Sequence, residues 1–397
     1  MFYNAILHQR QFRYLGAFYT HSLIRLFAIS TYQIFSSIYV YQILIGYGLD
    51  SYQSLGITAL FFGILYIFQA VTTIPALWVI SKRGLRYSAF WGNMCLIGYL
   101  IALYASKYDL IFLLVAPLIG GTYISFYWLA YHTFFSELTD DKNQGQELAI
   151  SSSLSALVSI GGPAFGGLVI SYFGFGVLFL ITGILILLAS FFLKFIPKQK
   201  NVVKIDILEI AKALSPRKES KSMLAIMGVG IVDSATLYFW PIFTFPILAG
   251  FVGVGLMGSL SALVASIACI AIGFLSDKFS PKRLLNIVSS LDSITWVLSI
   301  IIRTPMQVFT ISAIRALTTP AQFLTVDALS YERARHINLM AYIVQREIAQ
   351  SAGRSIFLIT IGVLLWLGLP LVTIFVITAL IALVTRLYPE TKLDNSV

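Results

Sequence analysis

Four charged side chains, Arg25, Asp233, Arg315 and Arg354, stand in the middle of long apolar runs of a 397-residue sequence. At bilayer depth such a charge costs about 2.5–3.5 kcal/mol on insertion scales unless it faces water or a partner, so each marks a place where something polar is accommodated. A guanidinium binds carboxylate, phosphate or sulfate through two parallel hydrogen bonds. A carboxylate whose surroundings alternate between water and apolar packing can take up and release a proton. Three Arg against one Asp leave a balance of +2 at mid-depth, which points to an anionic or zwitterionic organic ligand.

The elements that must hold these charges are membrane-crossing helices. The chain is 58% hydrophobic, 14% aromatic and only 11% charged, with a mean hydropathy of +0.86, whereas soluble domains carry about 25% charged residues. Apolar runs near 17–45, 53–80, 87–106, 110–135, 148–172, 176–196, 223–249, 253–276, 284–302, 306–329, 339–367 and 369–387 make twelve spans, each close to the roughly 20 residues a crossing needs. The first has no small-residue cleavage site and reads as a retained helix rather than a signal peptide. The predicted fold is therefore an all-α integral membrane protein. It comprises an N-terminal six-helix bundle (1–196), a basic cytoplasmic linker (197–222) and a C-terminal six-helix bundle (223–397).

The formal charge of +10 does not describe a nucleic-acid surface, because the cations sit in short loops beside apolar runs. With the N-terminus in the cytoplasm, 21 of the 27 Lys and Arg fall on the inner side and only Lys107 and Arg303 on the outer. The positive-inside rule then places both termini in the cytoplasm, and the protein is expected in the cytoplasmic (inner) membrane. In the linker, Ile207, Ile210, Ala211 and Leu214 share one helical face, which suits a helix lying on the membrane surface and equally a solvated linker helix. Cys95 and Cys269 lie in separate apolar runs and suggest packing rather than a disulfide framework or a zinc site.

The halves resemble each other at an offset of about 195 residues. Lys82-Arg-Gly-Leu-Arg86 answers Lys278-Phe-Ser-Pro-Lys-Arg283, Gly161-Gly162 answers Gly353-Arg354, and His132 answers Asp327. Such internal symmetry is the expected mark of a transporter built from two six-helix halves. Gly273-Phe-Leu-Ser-Asp277-Lys278-Phe-Ser-Pro-Lys282-Arg283 is similar to the loop signature of the major facilitator superfamily, with Ser280 in place of the second Gly. The corresponding first-half loop has Ser81 where the family has Asp, so the usual gating role is in doubt there. Gly162-Pro163-Ala-Phe-Gly166-Gly167 resembles the core of the superfamily's antiporter motif, although Val158 replaces its upstream Gly. Tyr388-Pro389-Glu390-Thr391-Lys392 looks like the ending found in many members, and span 4 lacks the family's buried Arg. No subfamily is identified.

The resemblance implies that spans 1, 4, 7 and 10 line a central cavity, that 2, 5, 8 and 11 join the halves, and that 3, 6, 9 and 12 are peripheral. In that frame Arg25, Arg315, Asp233, Tyr32, Tyr238 and Trp240 are expected to bind substrate, with Arg315 the strongest candidate. Asp233, Asp327 and His132 are expected to carry protons. Gly273, Asp277, Lys278, Lys282, Arg283, Gly162, Pro163, Gly166, Gly167 and Arg354 are assigned to gating or structure. Blander readings stand beside these: Arg25 pairing with Asp233, Arg354 pairing with Glu347 or with span 2, and Asp292 bonding a neighbouring Ser or Thr.

The expected function is secondary active transport of a small organic solute by alternating access, as proton-coupled export. Its rivals are an organic-anion uniporter or proton symporter, and a non-transporting sensor or scaffold of the same fold. No H-E-x-x-H, nucleophile motif or paired-carboxylate spacing suggests an enzyme. No cofactor, metal or nucleic acid is expected. The partners are a small molecule, a proton and lipid, and the protein is expected to act as a monomer.

Overall fold

The computed structural model describes residues 2–138, 144–196, 220–276, 280–334 and 339–389. The regular structure among them is entirely helical. A bilayer favours this, because an unpaired backbone N–H or C=O costs several kcal/mol in hydrocarbon and a helix pairs them within one segment. The helices are α1 (Phe2–Gly46), α2 (Ser51–Arg83), α3 (Leu85–Ala105), α4 (Ile111–Leu138), α5 (Gln144–Phe192), α6 (Ser220–Ser234), α7 (Trp240–Ile247), α8 (Phe251–Ser276), α9 (Pro281–Leu298), α10 (Pro305–Ala334), α11 (Leu339–Trp366) and α12 (Val372–Val384).

These elements make the twelve expected crossings, but not one for one. Gly174, with φ of 81°, turns the chain back inside α5, which therefore holds spans 5 and 6. Span 7 is α6 and α7 joined by a π-helical turn, Ala235–Phe239. Pro305–Ala334 is too mixed in composition to register as a crossing by hydropathy alone, since it carries Arg315, Gln322 and Asp327, and Val372–Leu387 is short. Both complete the second half by packing their polar positions inward. Outward positions such as Ile101, Leu180 and Leu380 are largely exposed, as a lipid-facing surface requires.

Helix ends follow local chemistry. Asp50 and Gln53 form a reciprocal capping box at the start of α2. Ser280 caps α9, with Pro281 at the first helical position, where its missing N–H costs nothing. The face holding the start of α1 and the end of α12 is termed here the terminal face; the other is the opposite face.

The loop motif does structural work within each half. Arg86, at the start of α3, donates from Nη1 to the carbonyl of Lys194 at the end of span 6, 3.1 Å away. Lys282, at the matching position of α9, donates from Nζ to the carbonyls of Arg386 and Tyr388 at the end of span 12. A cation thus caps the orphan carbonyls of the last helix of each half. Tyr388 does more than end that helix: it is buried, and its hydroxyl lies 2.7 Å from that of Tyr342 and 3.3 Å from Ser330 Oγ, tying span 12 to spans 11 and 10. Asp277, Lys278 and residues 197–219 of the linker, including the 203–214 segment, lie outside the described residues.

The two halves meet along α2 with α11 and along α5 with α8. In the second contact Gly167 and Gly255 are required by proximity: a Cβ on Gly255 would sit 2.5 Å from the carbonyl oxygen of Pro163, and one on Gly167 2.5 Å from that of Phe251. The Ala164 N–H also donates to Ser259 Oγ across this seam at 3.0 Å. Gly162 and Gly166 of the same motif instead seat α5 on α1, against Ser30 and Thr31. Because a backbone atom cannot yield, Gly255→Val is expected to part the two helices and lower the thermal unfolding midpoint by several degrees, of the order that 1–2 kcal/mol produces in a chain of this size. A midpoint unchanged by the substitution would show that the seam is looser than described.

Candidate functional site

A cavity of about 400 Å³ lies between the halves. Ile29, Gln33, Tyr66, Gln69, Tyr123 and Trp128 line it from the first half, and Asp233, Tyr238, Asp327, Arg346, Glu347, Gln350 and Arg354 from the second. Most of these residues lie between mid-helix and the terminal face. Toward the opposite face the halves close on each other: Phe62 stacks on Tyr238 with centroids 3.8 Å apart, and Gly56 packs against the Gly362 backbone.

The deep end is built on one ion pair. Arg354 Nη2 donates to Asp233 Oδ2 at 2.6 Å. Close approach of spans 7 and 11 places the two side by side, because a Cβ on Gly353 would sit 2.6 Å from the carbonyl oxygen of Met227 and one on Gly230 2.7 Å from that of Gln350. The same guanidinium lies 4.8 Å from the ring centroid of Tyr66 in α2, and the Tyr66 hydroxyl is hydrogen-bonded to that of Tyr238 at 2.7 Å. Asp233 precedes and Tyr238 lies within the π turn of span 7, an irregularity that accompanies many functional sites. One network therefore joins the charge pair of the second half to the helix of the first half that closes the cavity.

Nearer the terminal face, Arg346 lies between two carboxylates. Its Nη1 donates to Asp327 Oδ1 at 2.8 Å and its Nη2 to Glu347 Oε1 at 3.4 Å. The Asp327 side chain remains 38% exposed.

The other mid-depth cations face elsewhere. Arg25 is buried inside the first half: its Nε donates to Asn93 Oδ1 at 2.9 Å, Asn93 Nδ2 donates to Ser190 Oγ at 2.9 Å, and the guanidinium lies 3.1 Å from the centroid of Tyr127. Arg315 is buried inside the second half, 3.7 Å from the centroid of Trp296 and 4.2 Å from that of Trp240, and donates to Ser299 Oγ at 2.7 Å. The Trp240 indole donates to Ser312 Oγ at 3.0 Å, and Asp292 accepts from Thr318 at 2.9 Å. Each half thus buries a guanidinium against aromatic rings, tethered to its third helix, Asn93 in α3 and Ser299 beside α9.

Of the residues expected to bind substrate, Asp233 and Tyr238 line the cavity, whereas Arg25, Arg315, Tyr32 and Trp240 do not. Asp233 pairs with Arg354 rather than with Arg25, which points into the first half. The balance of +2 consequently does not describe the cavity, whose acidic side chains among the described residues are Asp233, Asp327 and Glu347 and whose basic ones are Arg346 and Arg354. Asp327 lines the cavity, and the side chain of His132 lies outside the described residues, as does the surrounding of Gly273. Tyr66, Gln69, Arg346 and Glu347 went unassigned because they sit on spans 2 and 11, which the family frame reserves for contact between halves. The signal was present in span 11: Arg346, Glu347, Gln350 and Arg354 recur at near-helical spacing in an otherwise apolar run.

Two six-crossing halves around a polar cavity are the architecture of a secondary transporter. The chain belongs to the Major Facilitator Superfamily, whose model matches residues 22–353. Among solved structures it is similar to the "Crystal structure of auto inhibited POT family peptide transporter", with a TM-score of 0.73 and 10% identity over 94% of this chain and 95% of that one. At that identity the likeness is one of fold. No curated protein sequence matches the chain.

Proposed function

We propose that the protein exports a small organic solute across the cytoplasmic membrane by alternating access, in exchange for protons. The observation that carries this reading is the cavity itself, which narrows into the Asp233–Arg354 pair where the halves close. By the positive-inside rule the terminal face is cytoplasmic, so the cavity is the cytoplasm-facing member of the two states. Rocking of the halves about the site would open the other side.

The chemistry of coupling follows from the network around Asp233. A proton on Asp233 removes the partner of Arg354, and Arg354 is held over Tyr66, which bonds Tyr238 across the closed seam. Release of that proton to the cytoplasm restores the pair, and with it the contacts that hold the opposite face shut, so inward proton movement resets the cavity for the next solute. Asp327 is the second candidate carrier and exchanges with water more readily, being half exposed at the mouth.

Flux in proteoliposomes with an imposed pH gradient tests the reading. Solute movement that follows the gradient and collapses with an ionophore is expected. Movement indifferent to the gradient would leave a uniporter, and no movement of any solute that the purified protein binds would leave a sensor.

A further inference from the structure

The charge and the walls of the cavity narrow the class of solute. The deep pair, Arg354 with Asp233, is neutral as a unit. Toward the mouth one guanidinium, Arg346, serves two carboxylates, Asp327 and Glu347. Among the described residues one negative charge is therefore left over on this wall. The cavity also has an aromatic wall, with Trp128, Tyr123 and Tyr66 facing these groups from the first half, and aromatic faces attract cations. Gln69, also lining the cavity, is buried, and its amide oxygen has no hydrogen-bond partner among the described residues. An acceptor left in this way costs free energy unless a ligand supplies a donor.

We infer that the transported solute is an amphipathic organic cation, its charge held against the Asp327 and Glu347 carboxylates and its apolar part against the Trp128 and Tyr123 rings. This rests on the transporter reading for its site. Among the described residues an organic anion would meet a carboxylate in excess, and the guanidinia there, Arg346 and Arg354, already have carboxylate partners. Size suits a single molecule with a few rings, since ligand cavities start at about 300 Å³.

Two ions of matched shape and opposite charge, tetraphenylphosphonium and tetraphenylborate, isolate the charge term. Binding of each to the purified full-length protein would be measured by equilibrium dialysis against a micelle blank. The phosphonium is expected to bind at least tenfold more tightly, a difference of about 1.4 kcal/mol. Asp327→Asn should weaken the phosphonium about tenfold, and Arg346→Gln, which adds to the negative excess, should strengthen it. Opposite signs from two neighbouring substitutions distinguish a charge effect from simple damage to the site, and a thermal unfolding scan confirms that each variant is folded. Equal or tighter binding of the borate, binding of neither ion, or an Asp327→Asn protein that binds the phosphonium as before would each overturn the inference. Phosphonium that binds but is not moved across proteoliposomes would instead count against transport while sustaining the charge preference.

Discussion

Asp233→Asn is expected to abolish gradient-driven flux, by a hundredfold or more, and also to destabilise the protein. The flux loss follows because Asn cannot exchange a proton, so the state of Arg354 no longer changes through the cycle. The stability loss follows because removal of one member of a buried pair leaves the other charge uncompensated, at about 3–5 kcal/mol. These effects separate in the double variant Asp233→Asn with Arg354→Gln, which removes both charges. Its unfolding midpoint should recover most of the loss, whereas its gradient-driven flux should stay absent. Recovery of flux in the double variant would show that the pair is structural and that protons travel elsewhere, with Asp327 the next group to replace.

Arg315→Ala is expected to cost the folded protein itself rather than ligand affinity. The guanidinium fills the space between the Trp240 and Trp296 rings, at 4.2 and 3.7 Å from their centroids, and Asp292 lies within electrostatic reach of it in the same buried layer. Truncation leaves a void between two indoles and a buried carboxylate without its counter-charge, a loss of about 3–5 kcal/mol. The yield of monodisperse protein should fall sharply. Arg315→Met combined with Asp292→Asn keeps the volume and removes both charges, so it should recover much of that yield and bind the cavity ligand as the parent does. A recovered variant without ligand binding would return Arg315 to the site.

These two expectations show which parts of the molecule could be read in the chain and which could not. Hydropathy and the loop cations reveal crossings because desolvation acts on each segment independently of its neighbours. Lys82–Arg86 and Lys278–Arg283 were recognisable as equivalents because the repeat keeps local spacing, and the structure shows Arg86 and Lys282 capping equivalent helix ends. Which way a charge points is a different matter, since it depends on the rotation of a helix about its axis. That rotation is set by contacts remote in sequence. Arg25 turns inward because Asn93, 68 residues away, receives it, and Asp233 meets Arg354 across 121 residues because Gly230 and Gly353 let two helices touch. The π turn at Ala235–Phe239 further alters the phase of span 7, so a helical register read from Asp233 does not carry through to Trp240. No apolar periodicity signals such a turn.

The most direct measurement of the central claim needs no knowledge of the solute. In a variant whose Cys95 and Cys269 are replaced by Ala, Gln350→Cys places one thiol on the cavity wall. Modification by a membrane-impermeant thiol reagent would be followed in vesicles of each orientation. A second variant adds Phe62→Cys and Tyr238→Cys, positions whose rings stack with centroids 3.8 Å apart across the closed seam, so that a thiol cross-linker locks spans 2 and 7 before the cavity thiol is unblocked. Alternating access through this cavity predicts modification from the cytoplasmic face in both variants, and from the opposite face only while the cross-link is absent. Modification from the opposite face that survives the cross-link, or that never occurs in the unlocked protein, would contradict it.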